Sequence, residues 1–170
     1  PVFPGDARYE QQWAATIGPG CPVNVSTITL SPHTGAHADA PLHYDAEGAA
    51  VGRLGLDAYL GPCRVVHAIG CGPLVEWKHI EHAIDLSLPP RVLLRTYERM
   101  PALSWDDALT GYAADVVERL ADMGVCLIGI DTASIDPADS KTLDAHQVIR
   151  RRNMRVLENL LLDEVDEGDY

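Results

Sequence analysis

The chain has no apolar run near the length that crosses a bilayer, which excludes a membrane-spanning helix. No basic segment followed by an apolar one occurs, so no secretory signal is written within it and a cytoplasmic protein is expected. There is no C-x-x-C pair. Cys21, Cys63, Cys71 and Cys126 are scattered, which excludes a thiolate zinc site and a disulfide framework. They read as small, mostly buried residues of a reduced protein, any one of which could line a pocket. Positive charge is scarce, with 13 Lys and Arg against 25 Asp and Glu, a formal net charge of −12. That balance repels nucleic-acid backbones and anionic membrane surfaces, so neither is expected as a partner. Part of the excess is the solvated run Asp163 to Asp169 (DEVDEGD). Internal repeats and low-complexity linkers are absent too, so residues 1–170 are read as one domain.

Of 170 residues, 46% are hydrophobic and 22% charged, a globular composition able to bury a core. Val23 to Leu30, rich in β-branched residues, reads as a strand. Pro32, Gly35 and Pro41 argue against a helix across His33 to His43. Strands are expected at Arg64 to Ile69 and Arg91 to Thr96. A helix is expected over Val75 to Ala83, with Trp77, Ile80 and Ile84 on one face. The clearest helix runs from Tyr112 to Met123, with the stripe Ala113, Val116, Val117, Leu120 and Ala121 and a terminating Gly124. The apolar run Val125 to Ile130 reads as a strand buried on both faces, and the polar Asp131-Thr132 after it as a functional position. A last helix covers Leu143 to Arg152. The fold class is therefore α/β, a mixed sheet with a few helices.

Chemistry concentrates in Ser31 to Tyr44 (SPHTGAHADAPLHY), where three of the seven histidines and an aspartate fall within eleven positions. Imidazole nitrogen and carboxylate oxygen suit zinc, manganese or cobalt. An extended chain from His37 to Asp39 puts both side chains on one face, and Gly35 lets the backbone turn so that His33 joins them. A surface loop with scattered polar residues is the plainer reading, and this density of ligands in a Gly/Pro frame weighs against it. Spacing alone does not distinguish one ion from two. His43 is either a fourth ligand or a nearby acid–base group. His146 and Glu158 are each weak signals alone: a histidine near the start of a helix is usually a solvated or capping residue, and Glu158 reads as any surface acid. His67, His79 and His82 read as structural, and Arg150-Arg151-Arg152 as charges offsetting a helix dipole.

The segment His33 to Tyr44 closely resembles the metal-binding signature of the cyclase-like amidohydrolase family. The resemblance extends over nearly the whole chain. It takes in Phe3-Pro4-Gly5-Asp6, Tyr59 to Cys63, Asp131-Thr132, Asp136-Pro137, Ser140-Lys141, Ala145-His146 and Leu157 to Leu160. Ala36 stands where many relatives have Thr, at a position that is no ligand. The resemblance implies a compact α/β fold of the swivelling β/β/α type, with a strand before Pro1 and another after Tyr170, paired as a homodimer whose partner contributes to the substrate pocket. It implies two divalent ions, zinc first with manganese or cobalt as alternatives. His33, His37 and Asp39 would bind one. Asp39 would bridge to a second held by His146 and Glu158. His43 would be the acid–base residue.

Within the family the flanking segments favour the branch that cleaves aryl formamides. The implied reaction is hydrolysis of N-formyl-L-kynurenine to L-kynurenine and formate, in tryptophan degradation. Phe3 and Tyr44 are candidates to pack on the aryl ring. A cyclic-amide hydrolase of the isatin type would share the ligands and is the rival reading among enzymes. A metal-binding protein without turnover is the rival outside them, and His43 beside a full ligand set weighs against it.

Overall fold

The computed structural model describes residues 1–170. In chain order the elements are β1 (Glu10–Ala15), β2 (Val25–Thr29), β3 (His37–Asp39), β4 (Arg64–His67), β5 (Leu74–Val75), α1 (Trp77–Ile80), β6 (Arg91–Arg95), β7 (Gly111–Tyr112), α2 (Ala114–Asp122), β8 (Leu127–Ile130), α3 (Asp144–Arg152), β9 (Arg155–Glu158) and β10 (Gly168–Asp169). Six strands form one mixed sheet in the order β10-β4-β6-β8-β9-β3. Its four inner strands run parallel, and the edge strands β10 and β3 are antiparallel to their neighbours. This is the mixed α/β class expected from the sequence.

Parallel strands are covered on their faces and therefore carry near-continuous apolar runs. Here Val65, Val66, Val92, Leu94, Leu127, Ile128 and Ile130 are all buried. Val116, Val117 and Leu120 of α2 and Ala145, Val148 and Ile149 of α3 close over the same core. Helix α2 ends where Gly124, at φ 91°, takes the left-handed conformation that a Cβ would strain. The three arginines ending α3 pair with Asp45, Glu118 and Asp122, so ion pairs on the surface accompany any dipole effect.

The segment expected as one helix from Val75 to Ala83 is broken up. Val75 belongs to β5, α1 covers only Trp77–Ile80, and a 3₁₀ turn follows at Glu81–Ala83. The start is fixed by a reciprocal cap, with the side chain of Glu76 on the His79 backbone and the His79 ring on the Glu76 N–H. Strand β1 gave no sequence signal because it buries no face. All but the last of its residues are exposed, and it pairs only with β2 as a separate ribbon. The four cysteines are unpaired as expected but half-buried rather than buried. No helix is long and apolar enough to cross a membrane.

Candidate metal centre

The edge pair β3–β9 builds the floor of the site. Residues alternate faces along a strand, so His37 and Asp39 point the same way, and antiparallel register sets Glu158 directly opposite His37. Glu158 also lies two residues beyond Val156, on the face of β9 that points into the core. The turn through Gly35, at φ 67°, carries His33 back over β3, and the first turn of α3 brings His146 from the other side.

These side chains converge on Asp39. Its Oδ1 lies 3.0 Å from His33 Nδ1 and 3.2 Å from His37 Nε2. Its Oδ2 lies 3.5 Å from His146 Nε2 and 3.8 Å from His43 Nε2. Glu158 spans the two groups, with Oε2 3.6 Å from His37 Nε2 and Oε1 3.6 Å from His146 Nε2. Ligand atoms of His33, His37, Asp39 and Glu158 all lie within 4.8 Å of one another. His146 stands outside that set, facing the other oxygens of the two carboxylates. Despite these short approaches, both oxygens of Asp39 and Nε2 of His146 are buried without a hydrogen bond. Buried polar atoms are nearly always paired, so a convergent unpaired set of imidazole and carboxylate atoms fits a divalent cation.

The outer contacts fix the rings. His37 Nδ1–H donates to the Gly35 carbonyl at 2.7 Å, which leaves the Nε2 lone pair facing Asp39. His146 Nδ1–H donates to Asp136 at 2.7 Å with the same consequence. Asp136 also accepts the backbone N–H groups of Ala145 and His146, standing in for the side-chain cap that Leu143 does not provide. Glu158 Oε1 accepts the Ile135 N–H at 2.8 Å.

Burial works to raise the Asp39 carboxyl, yet the imidazoles around it hold it well below the usual range. Burial and the Asp39 charge push Glu158 up to about 7. Burial works to lower His146, but Asp136 and Asp39 raise it to about 9. His43 is lowered by burial, with the neighbouring imidazoles adding to that effect against the pull of Asp39. Its side chain is also the most accessible of the group, at 42% against 2% for His146 and 9% for His37.

Above the cluster opens a cleft of about 340 Å³. His33, His43, His146 and Glu158 line its floor, and Phe3 and Trp105 form a wall, their rings edge to face at 5.1 Å. A larger depression of about 770 Å³ shares Pro137 and Ala138 with this cleft but holds none of the clustered ligands. The structure thus brings together His33, His37, Asp39, His43, His146 and Glu158, with Phe3 at the cleft. Tyr44 is elsewhere: its ring packs 5.2 Å from His146 and against the core, not on the cleft wall. His67, His79 and His82 stay apart, bound to the Val165 carbonyl, the Glu76 backbone and Glu167.

Asp131 serves the fold. Its carboxylate accepts the Thr96 and Tyr97 N–H groups and the Thr96 hydroxyl where β6 ends. The roles of Asp136 and Trp105 escaped the sequence reading. An aspartate ahead of a helix lacking its own capping residue was a usable signal for the first. Nothing in spacing marks the second.

A profile of the family described as "Putative cyclase" matches residues 1–137. The kynurenine formamidase of Delftia acidovorans is 74% identical over all 170 residues, which cover 80% of that protein. That of Paracidovorax citrulli is 70% identical over 173 aligned positions, again spanning the whole chain and 80% of the relative. Among solved structures, one described as a predicted metal-dependent hydrolase from Bacillus stearothermophilus superposes with a TM-score of 0.77 at 26% identity, over 96% of this chain and 76% of that one. Isatin hydrolase A from Ralstonia solanacearum gives 0.76 at 21% identity, over 96% and 73%, a likeness of fold.

Proposed function

The chain belongs to the cyclase family of metal-dependent hydrolases, and from that premise we propose that it hydrolyses N-formyl-L-kynurenine to L-kynurenine and formate, a step of tryptophan degradation. The observation that carries this reading is 74% identity to a kynurenine formamidase across every residue of the chain.

His33, His37 and Asp39 would hold one divalent ion, and Asp39, His146 and Glu158 a second, with zinc the ion best suited to this donor set. Bound ions of this kind supply a Lewis acid that acidifies water and polarises the amide oxygen. His43, kept neutral by its surroundings and open to the cleft, takes a proton from the attacking water as oxygen bonds to the formyl carbon. The resulting imidazolium returns that proton to the aryl nitrogen as the C–N bond breaks, releasing formate and the free amine. The aryl ring would lie against Phe3 and Trp105. Tyr44 would act from behind, by packing against His146.

The homodimer that the family resemblance implies, with the partner contributing to the substrate pocket, would be detected by sedimentation equilibrium at micromolar concentration. Four unpaired cysteines suit the reducing cytoplasm. The test of the reaction is formate release from three substrates. Formylkynurenine should be turned over far faster than isatin or an N-formyl aliphatic amino acid. Comparable rates on all three would place the chain in another branch of the family.

A further inference from the structure

Resting on the formylkynurenine reading, we propose that Lys141 and Asp6 recognise the zwitterionic amino-acid end of the substrate, Lys141 pairing with its carboxylate and Asp6 with its ammonium group. The chain contains only two lysines. Lys78 is engaged with Glu76 at 2.6 Å, whereas Lys141 makes no ion pair or hydrogen bond within the chain. Lys141 is also the only lysine or arginine lining the cleft, in a protein with 25 Asp and Glu against 13 Lys and Arg. An uncompensated cation kept beside a catalytic cleft in an acidic chain is a ready partner for a ligand anion.

Its position is braced. Ser140 Oγ accepts the Leu143 N–H at 3.0 Å, tying off the short loop that leads into α3, and α3 carries His146 in its first turn. Lys141 itself is exposed and lines the same cleft as His43 and His146, so its side chain can reach over the cleft mouth. Glu158 belongs to the cluster below, so Asp6 is the acid left on the cleft wall. The Phe3-Pro4-Gly5-Asp6 turn, closed by the Asp6 N–H on the Phe3 carbonyl and with Gly5 at φ 99°, presents Phe3 and Asp6 together. Ser31 Oγ–H donates to Asp6 Oδ2 at 2.7 Å, which orients the carboxylate and leaves Oδ1 without a partner. The cleft thus offers an aromatic wall, one cation and one anion. Formylkynurenine has a counterpart for each: the aryl ring, the carboxylate and the ammonium. Isatin has the ring alone.

The experiment compares kcat/KM for formylkynurenine with that for ortho-formamidoacetophenone, which keeps the aryl ketone and the formamide but lacks the amino-acid group. The Lys141→Ala variant should lower that ratio about tenfold, chiefly through KM for formylkynurenine, and Lys141→Arg should retain most of it. Asp6→Asn should reduce the preference for formylkynurenine over its des-amino analogue. A ratio unchanged in Lys141→Ala overturns the proposal, because loop damage alone would slow both substrates alike. An equal fall in Lys141→Arg overturns it as well. Wild-type enzyme that hydrolyses ortho-formamidoacetophenone but not formylkynurenine would sink the functional reading itself, and the inference with it.

Discussion

The centre of the main sheet and its β3 edge are equally buried, and they are filled with opposite chemistry. At the centre Val66, Val92, Leu94, Ile128 and Ile130 have no exposed surface. At the edge Asp39, His146 and Glu158 are 1–3% exposed. Burying an aliphatic side chain stabilises the fold by roughly 1.5–3 kcal/mol. Burying a carboxylate costs free energy unless something compensates its charge. Strand β9 makes the contrast local, since Val156 and Glu158 occupy one face, two residues apart, the first in the core and the second in the cluster. The edge thus gives up stability to gather donors that could hold a metal ion, and the centre supplies what the edge lacks.

That contrast is sharpened most by removing the residue on which the edge converges. Asp39→Ala should lose bound metal and reduce formate release to background, because both groups of ligands face this one carboxylate. His43→Asn is its control: metal is retained while the rate falls by about 10²–10⁴-fold, the usual worth of a general acid–base group. Metal lost together with activity in His43→Asn would make His43 a ligand. Metal content and rate, measured on the same preparations, decide the point.

The centre should respond in the other way. Ile128→Ala should lower unfolding free energy by about 2–5 kcal/mol in denaturant titrations, with metal per folded chain unchanged. A loss of metal without a loss of stability would break the distinction between the two regions.

The smallest effect concerns the metal-free protein. Burial, joined by the Asp39 charge, raises Glu158 from an ordinary 4.5 to about 7. A carboxyl raised on folding lends its stability below its unfolded value and loses it as pH rises through the folded one. Metal-free protein should therefore melt at progressively lower temperature as pH climbs from 4.5 to above 7, and Glu158→Gln should flatten that slope. An identical slope in the variant would assign the effect to other groups.

The two regions also differ in how far the sequence displays them. Helix α2 and strand β8 are written as periodicity, because each buries an apolar stripe or run that no other role explains. The segment His33 to His43 is readable because its ligands are close together in the chain. His146 and Glu158 are not, since each is one polar residue in an ordinary helix or strand. Only the β3–β9 register and the fold of α3 bring them to Asp39, and the resemblance to relatives supplied them in advance of any geometry. Strand β1 was illegible for the opposite reason: it buries nothing, so it has no pattern to show. Tyr44 lies off the cleft lining, against His146, because adjacency to His43 in sequence does not fix which way a ring turns after a 3₁₀ turn.

The proposal at the centre of this account is that His33, His37, Asp39, His146 and Glu158 would together hold two divalent ions. Its most direct test is to strip the chain of metal and titrate zinc back, following formate release from formylkynurenine at each addition. Activity should rise until two equivalents are bound per chain and then level off. Full activity at a single equivalent, or activity that ignores metal altogether, would contradict it.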